Sequence, residues 1–249
     1  MANDDEYIMS CFKDLVSTRA SFIKYYEMDE KQVNAFNCHI LSAKRNAKPK
    51  EYPDFIGDSM YVEVFNVTSS VENDGKGSLF SIESNAAKKR MEKALKLSDN
   101  PEDNKRGKSH VETMNFSDHS YENWLLSLKR NITKHKDSRL KYGFNGKESA
   151  FLAHYTQKVL SYKDENGVEQ WHSLGVDKRA LSYIYDELNG LINYFILFNE
   201  KNSEAEVISI NMIADYLNTH TLLCEFYPRD GAGMICIGVS ETIGPISFS

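Results

Sequence analysis

The chain has 249 residues, 41% of them hydrophobic and 27% charged, with 36 acidic against 30 basic side chains and a net charge of −6. These proportions are those of a globular protein and exclude a disordered polyelectrolyte or a fibrous repeat. No apolar run approaches the ~18 residues of a membrane span, and the N-terminal stretch Met1–Ser10 is acidic where a secretory signal would be basic, so a cytoplasmic protein with no membrane partner is expected. The four cysteines, Cys11, Cys38, Cys224 and Cys236, are far apart and form no CxxC, which argues against a zinc cage or a disulfide framework.

In chain order, the apolar residues Ile8, Phe12, Leu15, Val16 and Phe22 follow helical spacing from Asp4 to about Tyr26, and a second helix is predicted from Asp29 through Val33, Phe36, Ile40 and Leu41. The period then changes to that of strands. Residues 51–67 read as two short strands with a tight connection, and Asn73–Ser78 reads as a loop opening a helix to about Leu97. Residues 98–119 are polar and predict a mobile surface excursion. An amphipathic helix follows, with Tyr121, Trp124, Leu125, Leu128 and Ile132 inward and Lys129, Arg130, Lys134, Lys136, Arg139 and Lys141 mostly off that stripe.

Ser149–Thr156 and Ile192–Phe198 are predicted buried strands, separated by a helix that Asp177 caps. Beyond them lie a strand at Val207–Ile210, a short helix near Met212–Leu217, and a hairpin of Thr221–Tyr227 with Met234–Val239. Helices alternating with apolar strands imply an α/β fold, a mixed central sheet covered on both faces. The expected organisation is a core over residues 1–200 with a strand-rich extension, 201–249, packed on the same domain.

The most informative residues are Pro53-Asp54 and Glu63. If Asp58-Ser59 is a two-residue turn, Ile56 pairs with Tyr61, Phe55 with Val62 and Asp54 with Glu63; a Gly57-Asp58 turn would instead pair Asp54 with Tyr61. In the first register the two carboxylates face one another with Cβ atoms ~4.5–5.5 Å apart. Like charges that close repel unless a proton is shared or a cation bridges them, and paired carboxylate oxygens suit Mg²⁺ or Mn²⁺. Charge along the chain is uneven: residues 1–75 carry −5, residues 76–141 carry +6 and residues 142–249 carry −7. A basic middle segment in an acidic protein is either a solvated helical face or the place where an anion is held.

With Pro53-Asp54-Phe55-Ile56 and Val62-Glu63-Val64 on successive strands after a helix, and a basic helix leading into Ser149–Thr156, the chain resembles the PD-(D/E)XK superfamily over residues 1–200. The resemblance implies a restriction-endonuclease-like core and Mg²⁺- or Mn²⁺-dependent phosphodiester hydrolysis of DNA, with RNA as the alternative substrate, in a bacterial or phage setting. It implies Asp54 and Glu63 as metal ligands with the Val64 carbonyl as a third. The family's lysine, two residues after the Glu, is Phe65 here. A relocated amine is therefore sought, with Lys76 the first choice because it precedes a helix N-terminus, and Lys88 and Lys89 behind it. Lys88, Lys89, Lys129, Arg130, Lys134, Lys136 and Arg139 are the expected backbone contacts. The rival expectation, favoured by Phe65, is a catalytically inactive nucleic-acid-binding or protein-interaction module on the same fold. The histidines His110, His119, His135, His154 and His172 show no metal-ligand spacing, and His154 is expected to be a hydrogen-bonded core residue.

Overall fold

The computed structural model describes residues 4–48, 51–70, 72–73, 77–78, 86, 89–90, 111–115, 120–142, 146–156, 160–163, 166–221, 227–228 and 234–238. The chain forms two compact units, one of Met1–Ser69 with Tyr121–Arg229 and one of Ser70–Ser120 with Asp230–Ser249.

The first unit is built on a seven-stranded mixed sheet. Its strands are β1 (Ile23–Tyr26), β2 (Lys44–Arg45), β3 (Phe55–Ile56), β4 (Met60–Asn66), β5 (Glu148–Tyr155), β6 (Tyr194–Asn199) and β7 (Glu204–Ser209). Their order across the sheet is β1-β7-β6-β5-β4-β3-β2. The centre is parallel, with β4 beside β5 and β5 beside β6, and β1 runs parallel to β7; the β6–β7, β3–β4 and β2–β3 pairs are antiparallel. This is the mixed, helix-covered α/β sheet that the alternation of elements predicts.

Helices α1 (Asp4–Thr18) and α2 (Glu30–Ser42) cover one face, and α3 (Tyr121–Tyr142), α4 (Lys178–Leu188) and α5 (Ile213–Thr219) the other. The strand period of two sorts the core accordingly. Val62, Val64, Ala150, Leu152, Ile196 and Val207 pack with Phe12, Phe36 and Ile40 from α1 and α2. Tyr61, Phe65, Phe151, Ala153, Phe195 and Ile208 pack with Trp124, Leu128, Leu181 and Ile184 from α3 and α4.

Several local signals act as expected. Asp29 caps α2 through a reciprocal capping box with Gln32, which satisfies two amide donors at the helix start. Asp177 caps α4 by accepting from the Ala180 amide at 3.0 Å. It also accepts from the Tyr121 hydroxyl at 2.7 Å and from His172 Nε2 at 2.9 Å, so one buried carboxylate joins α3, α4 and the loop between β5 and α4.

Other expectations are corrected. The first helix ends at Thr18 and Ile23–Tyr26 is a strand, because its amide edge pairs with β7. Residues 204–209 lie inside the main sheet between β1 and β6. Among the described residues of the predicted C-terminal hairpin, Tyr227–Pro228 pairs with Leu160–Ser161 rather than with Met234–Gly238. In the second unit, Met234–Gly238 pairs antiparallel with Val111–Asn115, a strand within the expected excursion. Also in that unit, Glu72–Asn73 pairs with Gly77–Ser78; of the helix predicted beyond, Ala86, Lys89 and Arg90 are described and helical.

Asp177→Ala removes a helix cap worth about 1 kcal/mol and two further hydrogen bonds to a buried carboxylate. A loss of at least ~3 kcal/mol in urea unfolding is expected, with a smaller loss for Asp177→Asn, which keeps an acceptor for the Ala180 amide. A loss under ~1 kcal/mol for the alanine variant would remove the joining role assigned to this carboxylate.

Candidate functional site

The hairpin adopts the register that opposes the two carboxylates. The Gly57 amide donates to the Met60 carbonyl at 2.7 Å, closing a two-residue Asp58-Ser59 turn. Ile56 then pairs with Tyr61 and Phe55 with Val62, so the next opposed positions are Asp54 and Glu63. The Asp54 end is pinned from the sheet edge, where the Asn46 amide donates to the Asp54 carbonyl at 2.8 Å and Asn46 Nδ2 donates to the Pro53 carbonyl at 2.8 Å.

The two side chains engage one another's backbone. Asp54 Oδ2 accepts from the Val64 amide at 2.9 Å, and Glu63 Oε2 accepts from the Asp54 amide at 3.2 Å. Within a strand, one residue's N–H and C=O lie on the same edge, so the Val64 carbonyl shares the Asp54 side of β4. Burial first, and the Glu63 carboxylate second, push Asp54 up to about 6; the Val64 amide and Arg45 oppose that rise, and Asp5 adds to it.

A residue not anticipated from the sequence completes the site. His135 on α3 brings Nδ1 to 2.6 Å from Glu63 Oε1, and its ring stacks on Phe65 with centroids 5.0 Å apart and planes at 19°. Phe65 is buried and occupies the position where the resemblance calls for lysine, so the imidazole lies over the ring that replaces the amine.

Placement of His135 follows from how α3 lies along β4. Thr68 N–H donates to Ser127 Oγ at 3.2 Å and Asn131 Nδ2 donates to the Asn66 carbonyl at 3.1 Å. Arg139 lies over Tyr52, 5.5 Å from its ring centroid, and Tyr142 meets the ring of Tyr61, their centroids 5.7 Å apart. The helix index thus rises as the strand index falls, and four helical residues (~6 Å) span about the length of two strand residues (~6.6 Å). The antiparallel match carries His135, one turn beyond Asn131, onto Glu63 and Phe65. A sequence signal existed: Leu128, Ile132, His135 and Arg139 recur at helical spacing, so the inward stripe continues past Ile132 into two polar residues.

The remaining expected residues divide. Lys76 and Lys88 lie outside the described residues, and Lys89 is exposed on a helical turn. Arg130 and Lys134 are exposed on α3. Lys129 lies over the Tyr183 ring, 4.9 Å from its centroid, and Lys136 pairs with Glu187 at 2.7 Å. Arg139 is a correction: it is 2% exposed, because it falls on the inward stripe, and it is not placed to touch a phosphate. His154 is a hydrogen-bonded interior residue as expected, with Nδ1 2.6 Å from Asn66 Oδ1 and Nε2 3.1 Å from Glu200 Oε2.

Among the described residues, no three His, Cys, Asp or Glu side chains gather as a metal cage. What the hairpin offers a dication is two carboxylates and the Val64 carbonyl. This all-oxygen set fits the preference of Mg²⁺ and Mn²⁺. No protein-family model matches the chain, and no curated protein or solved structure shows significant similarity to it.

The raised Asp54 pKa has a consequence for stability. The folded chain holds this proton at pH values where the unfolded chain, with its ordinary value near 3.8, has lost it, so stability falls as pH rises from about 4 to about 6. Allowing for solvent screening of a group that is not fully buried, the loss is about 1–3 kcal/mol. Asp54→Asn, in the presence of a chelator, should therefore be the more stable form by that amount at pH 8 and equal to wild type near pH 4. A difference independent of pH in urea unfolding would exclude carboxylate crowding as its cause.

Proposed function

We propose that this chain is a PD-(D/E)XK-like nuclease domain that hydrolyses phosphodiester bonds of DNA with Mg²⁺ or Mn²⁺, in the cytoplasm. The observation that carries this reading is the opposed pair Asp54 and Glu63, which sit across a hairpin with the Val64 amide and carbonyl on the same edge. The order of elements also supports it: a helical layer, the carboxylate hairpin, the basic helix α3, and then β5 parallel to β4.

Asp54, Glu63 and the Val64 carbonyl would hold the ion. When bound, such an ion polarises the phosphoryl oxygen and lowers the pKa of the attacking water. The protein contributes position. His135 fixes the orientation of the Glu63 carboxylate through Oε1, the Asp54 amide fixes Oε2, and the Val64 amide fixes Asp54, so the acidic edge is organised before substrate arrives. Arg130 and Lys134, with Lys129 behind them, give the exposed side of α3 the positive charge that a nucleic-acid backbone requires.

A second reading rests on Phe65. A buried aromatic ring stands where the resemblance calls for an amine, which favours a nucleic-acid-binding or protein-interaction module without turnover.

The discriminating assay is cleavage of single-stranded and duplex DNA, with RNA alongside, in Mg²⁺ and Mn²⁺. Under the nuclease reading, Asp54→Asn and Glu63→Gln each reduce the rate by at least ~100-fold while leaving binding in Ca²⁺ intact. Replacing Arg130 and Lys134 by Ala should flatten the dependence of log affinity on log salt by about two units if each touches a phosphate. Salt-dependent binding without cleavage selects the second reading, and no binding to nucleic acid at low salt overturns the first.

A further inference from the structure

A separate cavity of about 500 Å³ opens where β1, β5 and β7 meet the 172–176 loop and α5. At its base is Glu206 on β7, 8% exposed. Both of its oxygens are engaged by the protein. Oε1 accepts from the Tyr26 hydroxyl at 2.5 Å and from the Ser173 hydroxyl, and Oε2 accepts from the Leu174 amide at 2.7 Å. Tyr26 reaches the carboxylate only because residue 175 is glycine, where a Cβ would fall 2.5 Å from the tyrosine ring. Tyr216 meets Tyr26 edge-on, with centroids 5.6 Å apart, and donates its hydroxyl proton to the Gly175 carbonyl at 2.9 Å.

This wiring gives the cavity a polarity. The hydroxyl protons of Tyr26, Ser173 and Tyr216 are all spent on acceptors within the protein, so toward a ligand these oxygens offer lone pairs. Burial, and after it the Glu206 charge, raise the phenols of Tyr26, Tyr155 and Tyr216, which keeps them protonated and the pattern in place. Glu204 adds a second carboxylate to the lining. Of the basic groups in the lining, His172 is committed through Nε2 to Asp177 at 2.9 Å, and Lys24 is an exposed residue whose strand position is directly beside Glu206. Acceptor oxygens, tyrosine rings and an excess of carboxylate together favour a flat cation rich in N–H donors over an anion or a neutral acceptor.

We propose that this cavity binds an alkylguanidinium group, carried by a small molecule or by an arginine side chain. The site is distinct from the Asp54–Glu63 hairpin and does not depend on the nuclease reading. Titration calorimetry of the full chain with n-butylguanidinium and with its uncharged isostere n-butylurea tests it. The cation should bind, and the urea should bind at least about tenfold more weakly. Adding N-acetylarginine amide shows which carrier the cavity accepts: binding comparable to butylguanidinium points to an arginine side chain, and weaker binding points to a small molecule. Glu206→Gln should reduce guanidinium affinity at least about tenfold, and Lys24→Gln should raise it severalfold. Because Glu206→Gln disturbs a buried hub of three hydrogen bonds, circular dichroism checks its fold, and the exposed Lys24 substitution decides where that fold is lost. Equal affinity for urea and guanidinium, no binding at ~10 mM cation, or no change on Lys24→Gln would each overturn the proposal.

Discussion

A carboxylate in the middle of a strand buried on both faces is the constraint around which the first unit is arranged. Glu63 is 5% exposed, with Val62 and Val64 turned to one hydrophobic layer and Tyr61 and Phe65 to the other. An ion there is costly unless hydrogen bonds replace its water. Two features supply them: the hairpin turn, which sets the Asp54 amide opposite Oε2, and α3, whose antiparallel course along β4 brings His135 to Oε1. Moving the hairpin register by one residue would carry Glu63 to the α1 and α2 face and leave His135 without its acceptor.

The same constraint explains the length and composition of α3. A parallel β4–β5 pair needs a crossover connection, and α3 is part of it. To hold His135 over Glu63, the helix must stay in register with the strand from Ser127 to Arg139. That span is fastened at one end by Ser127 and Asn131 on the backbone of Asn66 and Thr68, and at the other by Arg139 and Tyr142 against Tyr52 and Tyr61. Polar residues on this inward stripe are therefore the ones that reach β4, whereas Arg130 and Lys134 face solvent. A charge total over residues 76–141 combines these two populations, which is why it misplaced Arg139.

Features settled by short-range chemistry were legible in the sequence. Counting from a two-residue turn narrows the carboxylate hairpin to two registers, between which the Gly57–Met60 bond decides, and the α4 start follows from Asp177 three residues before Ala180. Those decided by distant partners were not. Ile23–Tyr26 has no turn or period that separates it from the preceding helix; it is a strand because β7, some 180 residues later, offers an edge. Met234–Gly238 looked like half of a local hairpin, yet its partner is Val111–Asn115. His135 lies between these cases: its stripe was readable, but that the stripe would fall on Glu63 depends on the direction of α3 along β4.

Glu63, Asp54 and Glu206 show three outcomes of placing a carboxylate on one sheet. Glu206 receives two hydroxyls and an amide. Glu63 is held by an imidazole and an amide. Asp54 receives one amide; burial first, and the Glu63 and Asp5 charges after it, raise its pKa. Buried groups whose charge is fully matched by fixed donors are what a stable core requires. A group left short in a partly open position, beside a second carboxylate, has its charge matched only when a proton or a cation arrives. That difference, rather than the number of acidic residues, sets Asp54 apart from Glu63 and Glu206 as the carboxylate whose own donors leave it short.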